Sequence, residues 1–185
     1  MSKIKSNVIF AILIVIIVVS ISGCINNNQN TANTTKNFSS EGLTFSYPES
    51  WAENQTDFNQ SLSGYNLEKL GTLSQPGEFN VFIEKSVSNA SSEDYIQKFR
   101  YLNRVGINGI NVTINSENRT HINGLKAYEI LMTFNDPQYD VPQKVLCVLV
   151  EKDQKVYMLQ FAADEGSFDE YLPVFNNVTS TINVE

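Results

Sequence analysis

Hydrophobic positions are densest near the start of the chain, where an apolar run follows two lysines. The run covers Val8 to Val19, twelve residues without a polar interruption, behind Lys3 and Lys5. A helix that crosses the bilayer hydrocarbon needs about 20 apolar residues, so a shorter run behind a basic flank is typical of a signal peptide. The pattern predicts a signal peptide over residues 1–23. The alternative is an uncleaved signal anchor over Ile4 to Gly23.

Polar residues dominate the segment that follows. From Ile25 to Asn37 the chain is rich in asparagine, threonine and glutamine. Such a segment has too few apolar side chains to offset the entropy of ordering. We therefore expect residues 24–37 to form a flexible spacer, and residues 38–185 to form one folded domain with its own core.

Alternating apolar and polar positions predict the strands of this domain. Leu43, Phe45 and Tyr47 share one side of a first strand that Pro48 ends, and Trp51 is expected to pack under the next turn. A hairpin turn is predicted where Asn and Gly separate two alternating segments. The sequence places this turn at Asn123-Gly124. The other strands are predicted at Tyr65–Leu73, Phe79–Glu84, Val112–Ile122, Leu125–Phe134, Lys144–Glu151 and Val156–Ala163.

Two segments have helical spacing. The first follows a cap at Ser91 and stops at Gly106, with one apolar face between them. The second is predicted to open with a capping box over Ser167–Glu170 and to run to Ile182, with Pro173 breaking or bending its first turns. Strands joined by tight turns imply an antiparallel sheet, and helices with one apolar stripe must cover its faces. The predicted fold class is therefore α+β.

Four of these segments together resemble the PsbP family, first known from extrinsic proteins of photosystem II. They are Glu41–Trp51, Ile122–Glu129, Lys155–Ala163 and Phe168–Ile182. The resemblance implies an α-β-α sandwich, an antiparallel β-sheet flanked by helices, and the chain is similar above all to PsbP-related lipoproteins of archaea. The matching residues belong to strands, turns and helices, so the resemblance implies a fold and carries over no photosynthetic role or metal site.

A second resemblance concerns the end of the apolar run. Ile21-Ser22-Gly23-Cys24 resembles the prokaryotic lipobox, in which small residues precede a lipid-modified cysteine. The resemblance implies that Cys24 carries lipid and begins the mature chain. A lipid at Cys24 and an uncleaved signal anchor both place the domain outside the cytoplasm, attached to the cell membrane.

Charge and composition narrow the classes of partner. The formal net charge is -7, which is unsuited to nucleic acid and to anionic lipid surfaces. If Cys24 is lipidated, Cys147 has no disulfide partner, and its apolar surroundings predict a buried thiol. Eight Asn-X-Ser/Thr sites make the chain a candidate glycoprotein: Asn33, Asn37, Asn54, Asn59, Asn89, Asn111, Asn118 and Asn177.

The sequence offers no catalytic constellation. His121 is the only histidine and is expected at a solvated strand end, so a hydrolase that depends on it is the least favoured alternative. Asp136 and Asp140 lie in a loop without EF-hand spacing, and we predict no metal site and no cofactor. The favoured function is a non-catalytic accessory or binding domain with a protein partner at the cell surface. The other alternative is capture of a small ligand in a cleft lined by aromatic side chains: Tyr65, Phe79, Phe82, Tyr139 and Tyr157.

Overall fold

The computed structural model describes residues 34–54, 67–75, 78–107, 109–137 and 141–185. The predicted signal peptide, Cys24 and most of the predicted spacer lie outside these residues. The described strands and helices are β1 (Thr35–Ser40), β2 (Leu43–Pro48), β3 (Ala52–Asn54), β4 (Leu67–Gln75), β5 (Phe79–Ser86), α1 (Ser92–Val105), β6 (Asn111–Ile122), β7 (Leu125–Asn135), β8 (Gln143–Lys152), β9 (Lys155–Asp164), α2 (Phe168–Ser180) and β10 (Asn183–Val184).

Seven strands form one large antiparallel sheet in the order β3-β4-β5-β9-β8-β7-β6. The hairpin of β6 and β7 turns at Asn123 and Gly124, whose φ angles of 50° and 80° are both positive. These values fit the two-residue turn predicted from that dipeptide. The predicted α+β class and the antiparallel pairing of its hairpins are therefore confirmed.

A small second sheet has the order β1-β2-β10. Its strand β1 begins at Thr35 and so includes the last three residues of the predicted spacer, which corrects that boundary. Thr35, Lys36 and Asn37 keep their side chains exposed and pair with β2 through the backbone. A polar composition does not prevent this pairing, because it requires no buried side chain from these three residues.

One face of the large sheet packs against α2 and the small sheet. Aromatic rings fill this core: Phe161 stacks on Phe175 at 4.9 Å, and Trp51 meets Phe79 edge-on at 4.8 Å. Trp51 is 3% exposed and follows Pro48, so its predicted position under the turn is confirmed. The other face packs against α1.

Helix α1 begins as predicted. The Ser91 side chain accepts a hydrogen bond from the Asp94 amide, and the Asp94 carboxylate accepts one from the Ser91 amide at 2.8 Å. The helix ends before Gly106 and buries Tyr95 and Phe99 on the sheet. Cys147 lies in the same core, fully buried as predicted, and burial raises the pKa of its thiol.

Helix α2 begins differently from the prediction. Ser167 has a helical backbone and makes no capping bond, and its hydroxyl donates to the Asp164 carbonyl instead. Pro173 does not break the helix, which continues through it to Ser180. Because proline has no amide hydrogen, the helix lacks one backbone bond there. The helix ends at Ser180, two residues before the predicted end. Neither described helix is long and apolar enough to cross a bilayer.

Candidate binding groove

A groove lies between α2 and the hairpin of β6 and β7. Helix α2 makes its main strand contacts with β2 and β9. The outer strands on the same face of the large sheet therefore lie to one side of the helix and not beneath it. The space between them has a volume of about 540 Å³. This size falls within the range of ligand pockets in proteins, which makes the groove the candidate binding site.

A β-bulge determines which β6 side chains line the groove. Val112 and Ile114 precede the bulge and pack on the α1 face. The register then shifts between Ile114 and Ser116, so the later even-numbered residues turn to the opposite face. Ser116, Asn118 and Thr120 consequently line the groove. The rim along β6 is therefore made of hydroxyl and amide groups.

The floor of the groove is apolar. Leu131 of β7, Leu146 of β8 and Leu172 of α2 line it, and each is partly exposed. These side chains pack against the buried core beneath them. The floor is thus an extension of the core that α2 does not fully cover, and it offers contact to aliphatic groups.

One carboxylate stands in the groove. Glu129 of β7 is the register partner of Asn118, whose side-chain amide donates to the Glu129 carboxylate at 3.2 Å. Glu129 is partly buried, and the other described residues that line the groove carry no formal charge when His121 is neutral. No ion pair to Glu129 is formed within the described part of the chain.

The turn of the hairpin closes one end of the groove. The Asn123 side-chain amide donates to the Ser180 carbonyl at 2.9 Å and to the Ile182 carbonyl at 2.8 Å. These bonds satisfy carbonyls at the end of α2 and hold the helix against the hairpin. On the α2 side, Asn176 is exposed and lines the groove.

The predicted aromatic cleft is wrong for the residues that can be placed. Phe79 and Tyr157 are buried in the core on the α2 face, whereas Phe82 packs on the α1 face. The alternation along the strand explains this, because positions 79 and 82 differ by an odd number. Tyr65 and Tyr139 lie outside the described residues.

His121 is exposed, as predicted, and lines the groove next to the turn. Among the described residues its ring makes no side-chain hydrogen bond or ion pair that would prepare it as a general base. The described residues contain no group of three or more His, Cys, Asp or Glu side chains that could hold a metal ion. Asp140, the second acidic residue of the loop with Asp136, lies outside the described residues.

Five predicted glycosylation sites can be placed, and all five asparagines are exposed: Asn37, Asn89, Asn111, Asn118 and Asn177. Asn118 is also part of the groove. Exposure is required for modification of a folded chain, so these positions meet that condition, and modification itself stays a prediction.

The opposite face carries a charged cluster that links α1 to β6. Arg100 donates to both Glu117 carboxylate oxygens, at 3.1 and 2.6 Å, and the Tyr128 hydroxyl donates to Glu117 at 2.6 Å. The bonds from Arg100 and Tyr128 lower the pKa of Glu117. Because its groups are paired with one another, we interpret the cluster as a structural link.

A carboxyl group is also buried on the α1 face. Glu84 of β5 is 6% exposed and accepts a hydrogen bond from the Gln160 amide at 2.5 Å. Burial raises the pKa of Glu84 to about 7, against the opposing effects of Gln160 and the Lys69 charge. Glu84 is not among the residues that line the groove.

No protein-family model matches the sequence, and no curated protein matches it. Solved structures do match. Cyanobacterial PsbP (CyanoP) from Synechocystis has a TM-score of 0.62 at 13% identity over 89% of this chain and 99% of that chain. PA94 of Pseudomonas aeruginosa, a protein of unknown function and putative regulator, has a TM-score of 0.51 at 13% identity over 82% and 97%.

The Saccharomyces cerevisiae Ran-binding protein Mog1p is similar too, with a TM-score of 0.54 at 9% identity over 83% of this chain and 96% of that chain. At such identities, the similarity establishes a shared fold. The PsbP-like fold expected from the sequence is therefore confirmed, and the function must be argued from the groove.

Proposed function

We propose that the chain is an extracytoplasmic lipoprotein of the cell membrane whose domain is a non-catalytic binding or accessory domain. Membership among PsbP-related lipoproteins of archaea is part of this proposal. The observation that carries the binding role is the groove beside α2, with its polar rim and apolar floor. The tether rests on the lipobox-like residues that end at Cys24. A net charge of -7 makes a protein a better partner than nucleic acid.

Mass spectrometry of the native N-terminus tests the tether. We expect the mature chain to begin at Cys24 with lipid attached and to fractionate with membranes. The Cys24→Ser variant should remain unprocessed or be released from the membrane. A native protein that keeps Met1 and no lipid would rule out lipidation at Cys24.

Site-specific photo-crosslinking in intact membranes tests the binding role. Asn176 is replaced by p-benzoylphenylalanine, because its exposed side chain lines the groove. Tyr101 provides the control position, since it is an aromatic residue of α1 that is 55% exposed on the opposite side of the sheet. We expect a discrete protein adduct from position 176 and none from position 101. Adducts of equal yield from both positions, or none from 176, would contradict the proposal.

The alternative of small-ligand capture is favoured by one observation, the groove volume of about 540 Å³. Native mass spectrometry of the chain, released gently from membranes, distinguishes small-ligand capture from binding of a protein partner. A bound small molecule of constant mass would favour capture, whereas the protein adduct described above favours an accessory role.

A further inference from the structure

The groove combines an apolar floor with a carboxylate that forms no ion pair within the described part of the chain. Glu129 stands partly buried above Leu131 and Leu146, and Asn118 is its hydrogen-bond donor among the described residues. A carboxylate held beside aliphatic side chains loses some hydration and gains from a cation that reaches it. The groove is therefore complementary to a ligand that carries one positive charge at the end of an aliphatic stem.

The polar rim of the groove adds a second requirement for the ligand. Asn118 and Thr120 on one side and Asn176 on the other present amide and hydroxyl groups across the opening. Amide and hydroxyl side chains donate and accept hydrogen bonds, as a polypeptide backbone requires. A volume of about 540 Å³ also exceeds what one small amine would fill. These features together match an extended peptide segment with a basic side chain.

We propose that the groove binds a lysine or arginine side chain on an exposed segment of a partner protein. The aliphatic stem lies on the leucine floor, the cation pairs with Glu129, and the rim bonds the partner backbone. The acidic character of the chain, with a net charge of -7, favours the approach of a basic segment. The inference rests on the proposed binding function and specifies its partner.

The test uses the full chain in detergent micelles and four acetylated, amidated pentapeptides of glycine with a central lysine, arginine, norleucine or glutamate. Binding is followed by NMR shifts of the Asn118 and Asn176 amides. We expect saturable shifts with the lysine and arginine peptides only. Norleucine keeps the stem without the charge, so equal binding of the norleucine peptide would overturn the inference. Butylamine at the same concentration should bind more weakly, and equal binding would make a free amine the ligand.

Three variants control the interpretation. Glu129→Gln should weaken binding of the lysine peptide about 10- to 100-fold, as expected for loss of a charged hydrogen bond. Glu49→Gln removes an exposed carboxylate outside the groove and should leave binding unchanged. Glu129→Lys should lose the lysine peptide and acquire the glutamate peptide, which a misfolded variant would not do. Unchanged affinity of Glu129→Gln would overturn the inference.

The two proposals fail in different ways. If position 176 forms its protein adduct while no basic peptide binds at Glu129, the chemistry of the partner proposed here is wrong and the binding role stands. If position 176 forms no adduct and no peptide binds, both proposals are contradicted.

Discussion

At the scale of single residues, Glu84 lies where burial destabilises its ionised form. Its carboxyl group is buried on the α1 face, and the pKa is about 7 instead of the usual 4.5. The folded state therefore holds the proton more tightly than the unfolded state does. Stability should fall as the pH rises from about 4.5 through 7, and above pH 7 the full cost of the charge remains.

Glu84→Gln should consequently stabilise the fold at high pH. The interval from 4.5 to about 7 corresponds to about 3 kcal/mol, an upper bound on the gain at pH 8, and little gain is expected at pH 4. The new amide oxygen can still accept the bond from Gln160. Urea unfolding of the full chain in mild detergent at both pH values measures this, with Glu49→Gln as the exposed control. A gain that is the same at both pH values would show that ionisation is not its cause.

Gly106 shows a different constraint, imposed by the backbone. It ends α1 with a φ of 69°, and a β-carbon there would lie 2.6 Å from the Ile110 carbonyl oxygen. Gly106→Ala should lower the free energy of unfolding by about 1–3 kcal/mol. Gly166→Ala is the control, because nothing lies within 4 Å of its β-carbon, and it should change stability by less than about 0.5 kcal/mol. Equal losses in the two variants would refute the steric explanation.

At the scale of secondary-structure elements, one side chain joins the hairpin of β6 and β7 to the end of α2. Asn123 holds the turn with a positive φ, and its amide donates to the Ser180 and Ile182 carbonyls. The sequence predicts the first role from the Asn-Gly pair. The second depends on residues more than fifty positions away, which no local pattern reveals.

Asn123→Gly and Asn123→Asp separate these two roles. Glycine keeps the turn and removes both bonds to α2, so the free energy of unfolding should fall by about 1–3 kcal/mol. Aspartate removes the donor and adds a negative charge near the helix C-terminus, so it should destabilise further. Urea unfolding and hydrogen exchange at the last turn of α2 measure both effects. If the glycine variant is as stable as the wild type, the bonds to α2 contribute nothing.

The sequence predicts elements best where two long segments rich in strand-forming residues flank a short turn. The long hairpins of β6 to β9 meet this condition, and their observed bounds lie close to the predicted ones. No local pattern predicts the strands β1, β3 and β10, because they are short or polar and pair mainly through the backbone. No local pattern predicts the groove either. The bulge after Ile114 turns β6 over, and only then do Asn118 and Thr120 face α2.

At the scale of the whole molecule, one sheet serves two cores. Strands β5, β7, β8 and β9 alternate their side chains between the core beneath α2 and the core beneath α1. Ile130 of β7 is fully buried in the second core, whereas Trp51, the only tryptophan, is buried in the first. Loss of packing on one face removes support from the strands that form the other. The two faces should therefore unfold together.

Ile130→Ala tests this coupling, because Ile130 and the fluorescent probe Trp51 lie on opposite faces of the sheet. Truncation of this buried side chain should cost about 2–5 kcal/mol. If the faces are one cooperative unit, Trp51 fluorescence and far-UV circular dichroism will shift to the same lower urea midpoint. Val87→Ala, at a position 52% exposed, should leave both midpoints nearly unchanged. A Trp51 transition that keeps the wild-type midpoint while the circular dichroism shifts would mean that the α2 face, with its groove, folds independently of α1.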